Sequence, residues 1–381
     1  MASDQRSLDM PVLPGVHLNM PDSAYFAVDA LGSSDMKALY WDAPSWWAQS
    51  RHNRNRKITR GAYRRSGKDM GTALHTLVIQ GVEAYEAAYA IEPDDGRPDW
   101  LRTRDQIRAA LREINVEIPK GDFSEATLNR LVRRHGLAHR VFDTARLDYE
   151  SARRAGRLHV SEDEDRRLRY TADLIHGDPE LGPAFSGGLG EVAVFWRRED
   201  DPSILLRAKF DYIRRRRIFD LKKIGNSRGR DPDTAIRIAI DEYDYDIQRR
   251  LYPEAWERMA EFVAAGQVHA WAADGDRARV LGHEREALEA ITAAGTPDWC
   301  WVFVQLPVDD VGQERGAVVA PRFHLPEGRF WDSGGRKIET ALGAYRKFRD
   351  EFSLERPWRV VQQAYVLTDD DVRSRERREI V

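Results

Sequence analysis

Between Gly188 and Lys223 the chain carries three short apolar runs, Glu191–Trp196, Leu205–Ile213 and Ile218–Lys222, each with an acid at a defined place. Side chains alternate faces along a strand, so residues two apart point the same way, about 7 Å apart. On this pattern Arg207, Lys209 and Asp211 share one face of the second run, and Leu206, Ala208, Phe210 and Tyr212 the other. In the third run Asp220 and Lys222 share a face with Ile218, opposite Phe219 and Leu221. A hairpin through the Arg214–Arg217 turn can bring Asp211 beside Asp220 if the register is favourable. A strand cluster with helical segments on both sides predicts an α/β fold, a central mixed sheet flanked by helices.

The remainder is organised around that cluster. Residues 1–30 mix Pro, Asp and Ser with scattered apolar residues and read as an extended arm. Ser33-Ser34-Asp35 has the character of a helix N-cap, and Pro44-Ser45-Trp46-Trp47 starts another short helix. Residues 82–182 read as a helical insertion, with helices at 102–114, 124–134 (Ser124 as its N-cap) and 161–176, the last opened by the capping box Ser161–Glu164. A helix follows at 243–264, then strands at 299–306 and 316–321 and a helix at 338–352. These elements predict one domain over 31–368, with a charged tail at 369–381.

Of the 60 basic residues only nine are lysines, which makes Lys222 more noticeable, and the net charge of −3 leaves no global basic field. Any nucleic-acid contact must therefore use local patches. One, from Arg51 to Lys68, contains almost no acid; such a run is usually a solvated loop, and its functional reading is a segment lying along a phosphate backbone. The single cysteine, Cys300, excludes a disulfide framework and a cysteine-ligated iron–sulfur cluster. No basic-then-apolar leader and no membrane-length apolar run is present, which predicts a cytoplasmic protein without a membrane partner.

Two carboxylates side by side repel unless a proton or cation lies between them. Mg²⁺ and Mn²⁺ are hard cations that favour such oxygen ligands, and they polarise phosphoryl oxygens. Asp220-x-Lys222 alone is weak evidence in a chain that is 32% charged, and a lone His75 on an apolar helix is more often a core residue than a ligand. It is their order along the chain that carries information.

The series Glu191…Asp211…Asp220-Leu221-Lys222 resembles the core of the PD-(D/E)XK nucleases. Met70-Gly71-Thr72-Ala73-Leu74-His75 resembles the helix that supplies a metal-binding histidine in RecB-like and exonuclease VIII (RecE-type) members. Glu191–Trp196 resembles their Glu-led strand, and Tyr243–Tyr252 their Tyr-x-x-Gln-x-x-x-Tyr helix, with Tyr245, Gln248 and Tyr252 at the named positions. The similarity spans roughly residues 30–265 and, more loosely, the later strand and terminal helix. The chain departs from the family at Phe210, where a proline precedes the acid, and at Lys223 and Ile224, where a threonine often follows the lysine.

The resemblance implies a restriction-endonuclease-like core and a Mg²⁺-dependent deoxyribonuclease, with Mn²⁺ as substitute and no iron–sulfur cluster. By position it implies that His75, Asp211, Asp220 and the Leu221 carbonyl hold the metal. Glu191 lies close by as an outer ligand or on a water, Lys222 activates the attacking water and steadies the transition state, and Gln248 and Tyr252 orient the lysine or contact DNA. Arg51, Arg54, Arg56, Lys57, Arg60, Arg64 and Arg65, with Arg214, Arg215, Arg216 and Arg217, are the candidates for backbone contacts. The expected activity is 5′→3′ degradation of linear duplex DNA in phage-type recombination, by a homo-oligomer working with a single-strand annealing partner. The alternatives are a structure-selective or restriction-type endonuclease on the same core and an inactive DNA-binding protein.

Overall fold

In the structure, a computed structural model, the Gly188–Lys223 stretch forms the middle of a seven-stranded sheet. The structure describes residues 13–56, 67–118, 125–226, 228–271, 277–310, 313–315 and 318–360. The chain opens with β1 (Gly15–Leu18), α1 (Asp22–Ala27) and α2 (Ser33–Gln49). Helix α3 (Gly67–His75) continues as a π-helical turn, Thr76–Gln80, into α4 (Val82–Ala88). Next come β2 (Tyr89–Glu92), α5 (Arg104–Glu113), α6 (Glu125–Arg134), α7 (Phe142–Arg154), β3 (Leu158–Ser161) and α8 (Glu162–Gly177). The three central strands are β4 (Leu189–Arg197), β5 (Leu205–Arg214) and β6 (Arg217–Lys223). They are followed by α9 (Pro232–Glu242), α10 (Tyr245–Ala264), β7 (Val268–Ala270) and α11 (Arg277–Thr292). The chain then forms β8 (Asp298–Gln305), the small hairpin β9 (Val308–Asp310) and β10 (Gln313–Arg315), β11 (Val318–His324) and α12 (Gly328–Phe352).

The sheet order is β11-β8-β6-β5-β4-β1-β7; β6·β8 and β1·β7 are parallel and the other pairs antiparallel, so the sheet is mixed. Alternation along β8 shows how the two faces are filled. Trp299, Trp301 and Phe303 pack into the core built with α2, α10 and α12, whereas Cys300, Val302 and Val304 pack into the layer that contains Leu74, Leu77 and Leu168 of the α3 and α8 side. Strands buried on both faces read as continuous apolar runs, as this one does.

Several sequence expectations change. The 13–30 part of the supposed arm is structured: β1 lies between β4 and β7, with Val16 and Leu18 buried. Four residues are too few for period-2 alternation to stand out. Helix α2 is capped one residue earlier than expected, at Gly32, whose N–H donates to Asp35 Oδ2 at 2.8 Å. The start of a second helix near Pro44 appears as a break inside α2 at Asp42, which accepts from the Ser45 N–H. The 82–182 stretch is not purely helical, since β2 and β3 pair in parallel within it and α7 was not foreseen. The Ser161 capping box forms as read. Ser124 and the 369–381 tail lie outside the described residues. Among the described residues no helix is long and apolar enough to cross a membrane.

Candidate active site

Strands β5 and β6 are joined by a two-residue turn, Arg215-Arg216, with Arg216 in the left-handed region at φ 60°. Their ladder runs Arg214↔Arg217, Ile213↔Ile218, Tyr212↔Phe219 and then stops. The next positions in that register are Asp211 and Asp220, so the strands part where the two acids stand. Asp211 Oδ2 fills the gap by accepting the Leu221 N–H at 2.8 Å.

The simple alternation expected for β5 does not hold at this point. Phe210 packs against Tyr252 and Trp256 of α10, whereas Tyr212 packs against Phe185 in the opposite layer. The strand changes phase at Asp211. On the facing strand Glu191 has φ 56°, a left-handed conformation that costs an ordinary residue about 1 kcal/mol or more. Glu191 and Asp211 stand opposite each other between the pairs Gly190↔Tyr212 and Val192↔Phe210.

Two further elements, α3 and α10, bring groups to this break, and β6 itself adds Lys222. His75, at the end of α3, places Nε2 2.6 Å from the Leu221 carbonyl oxygen and 3.6 Å from Asp211 Oδ2. The helix can approach because Gly190 has no side chain; a Cβ there would stand 2.7 Å from Ile79 Cγ2 in the π-turn. From α10, Gln248 Nε2 donates to Asp220 Oδ1 at 2.7 Å. Lys222 Nζ lies 2.6 Å from Asp220 Oδ2, an atom that is otherwise buried without a well-aligned donor.

Burial sets the charge states. Asp220 is only 1% exposed. Desolvation pushes the Asp211 carboxyl up to about 6, against the pull of His75 and with the Asp220 charge adding to the rise. Burial works against the Lys222 ammonium, but Asp220 and Asp211 outweigh it and hold this lysine above the ordinary value. As it stands, Lys222 is a cation and a hydrogen-bond donor at neutral pH.

His75, Asp211, Asp220, Leu221, Lys222 and Gln248 are thus brought together. Glu191 is adjacent, but its carboxylate is bound by Lys209 Nζ at 2.5 Å, and Lys209 also holds Asp22 at 2.7 Å. Gln248 orients Asp220, where an orientation of the lysine was the expectation. The DNA role expected of Tyr252 is corrected: the residue is buried, and its hydroxyl donates to the Lys209 carbonyl oxygen at 2.9 Å. Arg51, Arg54 and Arg56 are exposed on the turns after α2, while Lys57, Arg60, Arg64 and Arg65 lie outside the described residues. Arg214 donates to the Pro183 carbonyl oxygen, Arg215 and Arg216 are exposed, and Arg217 lies over the Phe323 ring.

One neighbour, Lys37, has no place in the sequence reading. Lys37 of α2 lies 5.1 Å from the centre of the Tyr245 ring, and Lys222 reaches the same ring at 5.4 Å. Burial and the Lys222 charge lower Lys37 to about 8. Burial raises Tyr245 to about 12. The scarcity of lysine was the available signal, because Lys37, Lys209 and Lys222 all surround this one cluster.

The donor set suits a hard divalent cation in kind: an imidazole nitrogen 2.6 Å from a carbonyl oxygen and 3.6 Å from a carboxylate oxygen, plus the buried Asp220 Oδ2 on the same strand as the carbonyl. Among the described residues no three His, Cys, Asp or Glu side chains are already drawn into a cage. Asp220 is turned to Lys222 and Glu191 to Lys209. Comparison with protein-family models and with curated proteins returns no match.

Proposed function

We propose that the chain is a metal-dependent deoxyribonuclease with a PD-(D/E)XK core, acting as an exonuclease on linear duplex DNA. The observation that carries this reading is the convergence at the parting of β5 and β6. A histidine, two acids, a backbone carbonyl and a lysine from three elements, α3, β5 and β6, meet where a sheet opens. A structural ion-pair network has no need of a histidine aimed at a strand carbonyl beside a carboxylate that burial keeps near 6.

On this reading His75, Asp211, Asp220 and the Leu221 carbonyl would hold Mg²⁺ or Mn²⁺. Such a cation supplies charge for a phosphoryl oxygen and acidifies water. The chain's own contribution is positional and electrostatic. Gln248 fixes one oxygen of Asp220 so that the other faces Lys222. The Lys222 ammonium donates to the phosphate or to the attacking water and offsets charge as it develops. Being held protonated, it serves as a donor and not as the base. Glu191 reaches the site only when Lys209 releases it. The 5′→3′ direction, the homo-oligomer and the annealing partner belong to the same proposal and rest on the family resemblance.

The test is digestion of end-labelled linear duplex and closed circular DNA with Mg²⁺, Ca²⁺ or EDTA. Expected is Mg²⁺-dependent release of label from the linear form with the circle intact. Cutting of the circle would show an endonuclease, and inertness with every divalent metal would leave a DNA-binding protein.

A further inference from the structure

The mouth of the site carries aromatic surface that the chemistry above does not use. Tyr243 is 49% exposed and stacks on Tyr245 with ring centres 5.8 Å apart and planes 30° from parallel. Tyr245 is the ring that both Lys222 and Lys37 approach. Trp41 stands one helical turn beyond Lys37 on α2, and it is 69% exposed. It is nonetheless held in place, since its indole N–H donates to Asp244 Oδ2 at 2.7 Å and Tyr40 packs edge-on to it at 5.0 Å.

Asp244 is itself immobilised. It is buried in a left-handed conformation at φ 46°, and Lys337 Nζ binds it at 2.6 Å and Asp246 at 2.9 Å. The indole N–H satisfies a buried carboxylate oxygen, and the same bond holds the exposed ring in one orientation. It presents a preorganised flat apolar face to solvent. Lys37 adds a charge with no carboxylate within ion-pair distance among the described residues; the anionic partner it lacks is one that a phosphate can supply.

We infer that Trp41, Tyr243 and Lys37 form a subsite for an unpaired nucleotide beside the scissile phosphate, the rings stacking on its base and the ammonium meeting its phosphate. This rests on the nuclease reading for its location, and it adds that the substrate strand enters with its terminal bases unstacked from the duplex. Aromatic platforms of this kind bind any base, because every base has a π-face. The subsite therefore selects frayed or single-stranded ends, not a sequence.

The test measures binding by the full chain in EDTA, where nothing is hydrolysed, to a labelled thymidine oligonucleotide of about a dozen residues and to an abasic strand of equal length. Expected is affinity at least about tenfold higher for the strand with bases, falling to near parity in Trp41→Ala/Tyr243→Ala. Trp41→Phe separates stacking from the hydrogen bond to Asp244, and it should keep most of the difference. Equal binding of the two strands by the wild type, or a base-dependent difference that survives the double alanine variant, overturns the subsite. A loss in Trp41→Phe as large as in Trp41→Ala also overturns it, because the indole would then act through Asp244 alone. These outcomes are separable from failure of the nuclease reading: base-dependent binding without hydrolysis under any metal removes the enzyme and keeps the platform. Normal hydrolysis with no preference for bases does the reverse.

Discussion

At the scale of single residues, the cluster behaves as a set of charges that burial makes expensive. Asp220 is covered by Gln248 and Lys222, and substituting either acid or lysine removes a group with no substitute nearby. Asp220→Asn and Lys222→Ala are each expected to lower Mg²⁺-dependent DNA hydrolysis by at least about a hundredfold, measured as initial rates on end-labelled duplex. Undiminished rates in both variants would remove the site assignment. Asp211 gives a pH signature in protein stripped of divalent cations. Its carboxyl is raised from 3.8 to about 6, so the folded state keeps a proton that the unfolded chain has released. The stabilisation this provides is full below about pH 4 and is lost as pH rises through about 6. Asp211→Asn does not titrate, and its Oδ1 can still accept the Leu221 N–H. The melting temperature of the variant relative to wild type should therefore climb between pH 4 and 6 and then level off. A flat difference over that range would contradict the raised value.

At the scale of elements, the site depends on how closely helices approach the sheet and one another. Helix α10 delivers Gln248, and its N-terminus is tied to α12 by Lys337, which binds both Asp244 and Asp246. The two helices touch at Gly334, where a Cβ would lie 2.2 Å from the Asp246 carbonyl oxygen. Gly334→Ala should cost about 2 kcal/mol or more through forced separation of α10 and α12. Gly343→Ala, in the same helix with open space around it, should instead add about 0.5–1 kcal/mol by restricting the unfolded chain. Urea denaturation of the two variants checks the contrast, and equal effects would show that the α10–α12 contact is not tight. The π-turn after His75 belongs to the same geometry, since it carries Ile79 onto Gly190 and so seats the histidine over Leu221.

At the scale of the whole molecule, the sheet is closed on both faces, and Cys300 reports on it. The thiol is fully buried in β8, and desolvation raises it to about 11. Alkylation at pH 8, followed by mass spectrometry, should be on the order of a hundredfold slower for the native protein than in denaturant, with the native rate tracking global opening. Ready alkylation of the native chain would mean that β8 is not a central strand.

What the sequence determined is local and periodic. The three central strands, the Ser161 capping box, the helix break before Ser45 and the apolar β8 run each follow from neighbours along the chain. The residues His75, Asp211, Asp220, Lys222 and Gln248 are legible as a set only through the family resemblance, which rests on their order along the chain and not on any single offset. Tertiary structure alone decided which partners those side chains take. Gln248 binds Asp220 and Tyr252 is buried over β5 because of how far α10 sinks toward the sheet, and Lys209 takes Glu191 across the β4–β5 pair. It also decided the phase change at Asp211 and the return of β1 to the sheet, where pairing with strands distant in sequence outweighs a weak local signal. Lys37 joins the site for the same physical reason: α2 packs across the face from which α10 descends, and no spacing within α2 announces that neighbour.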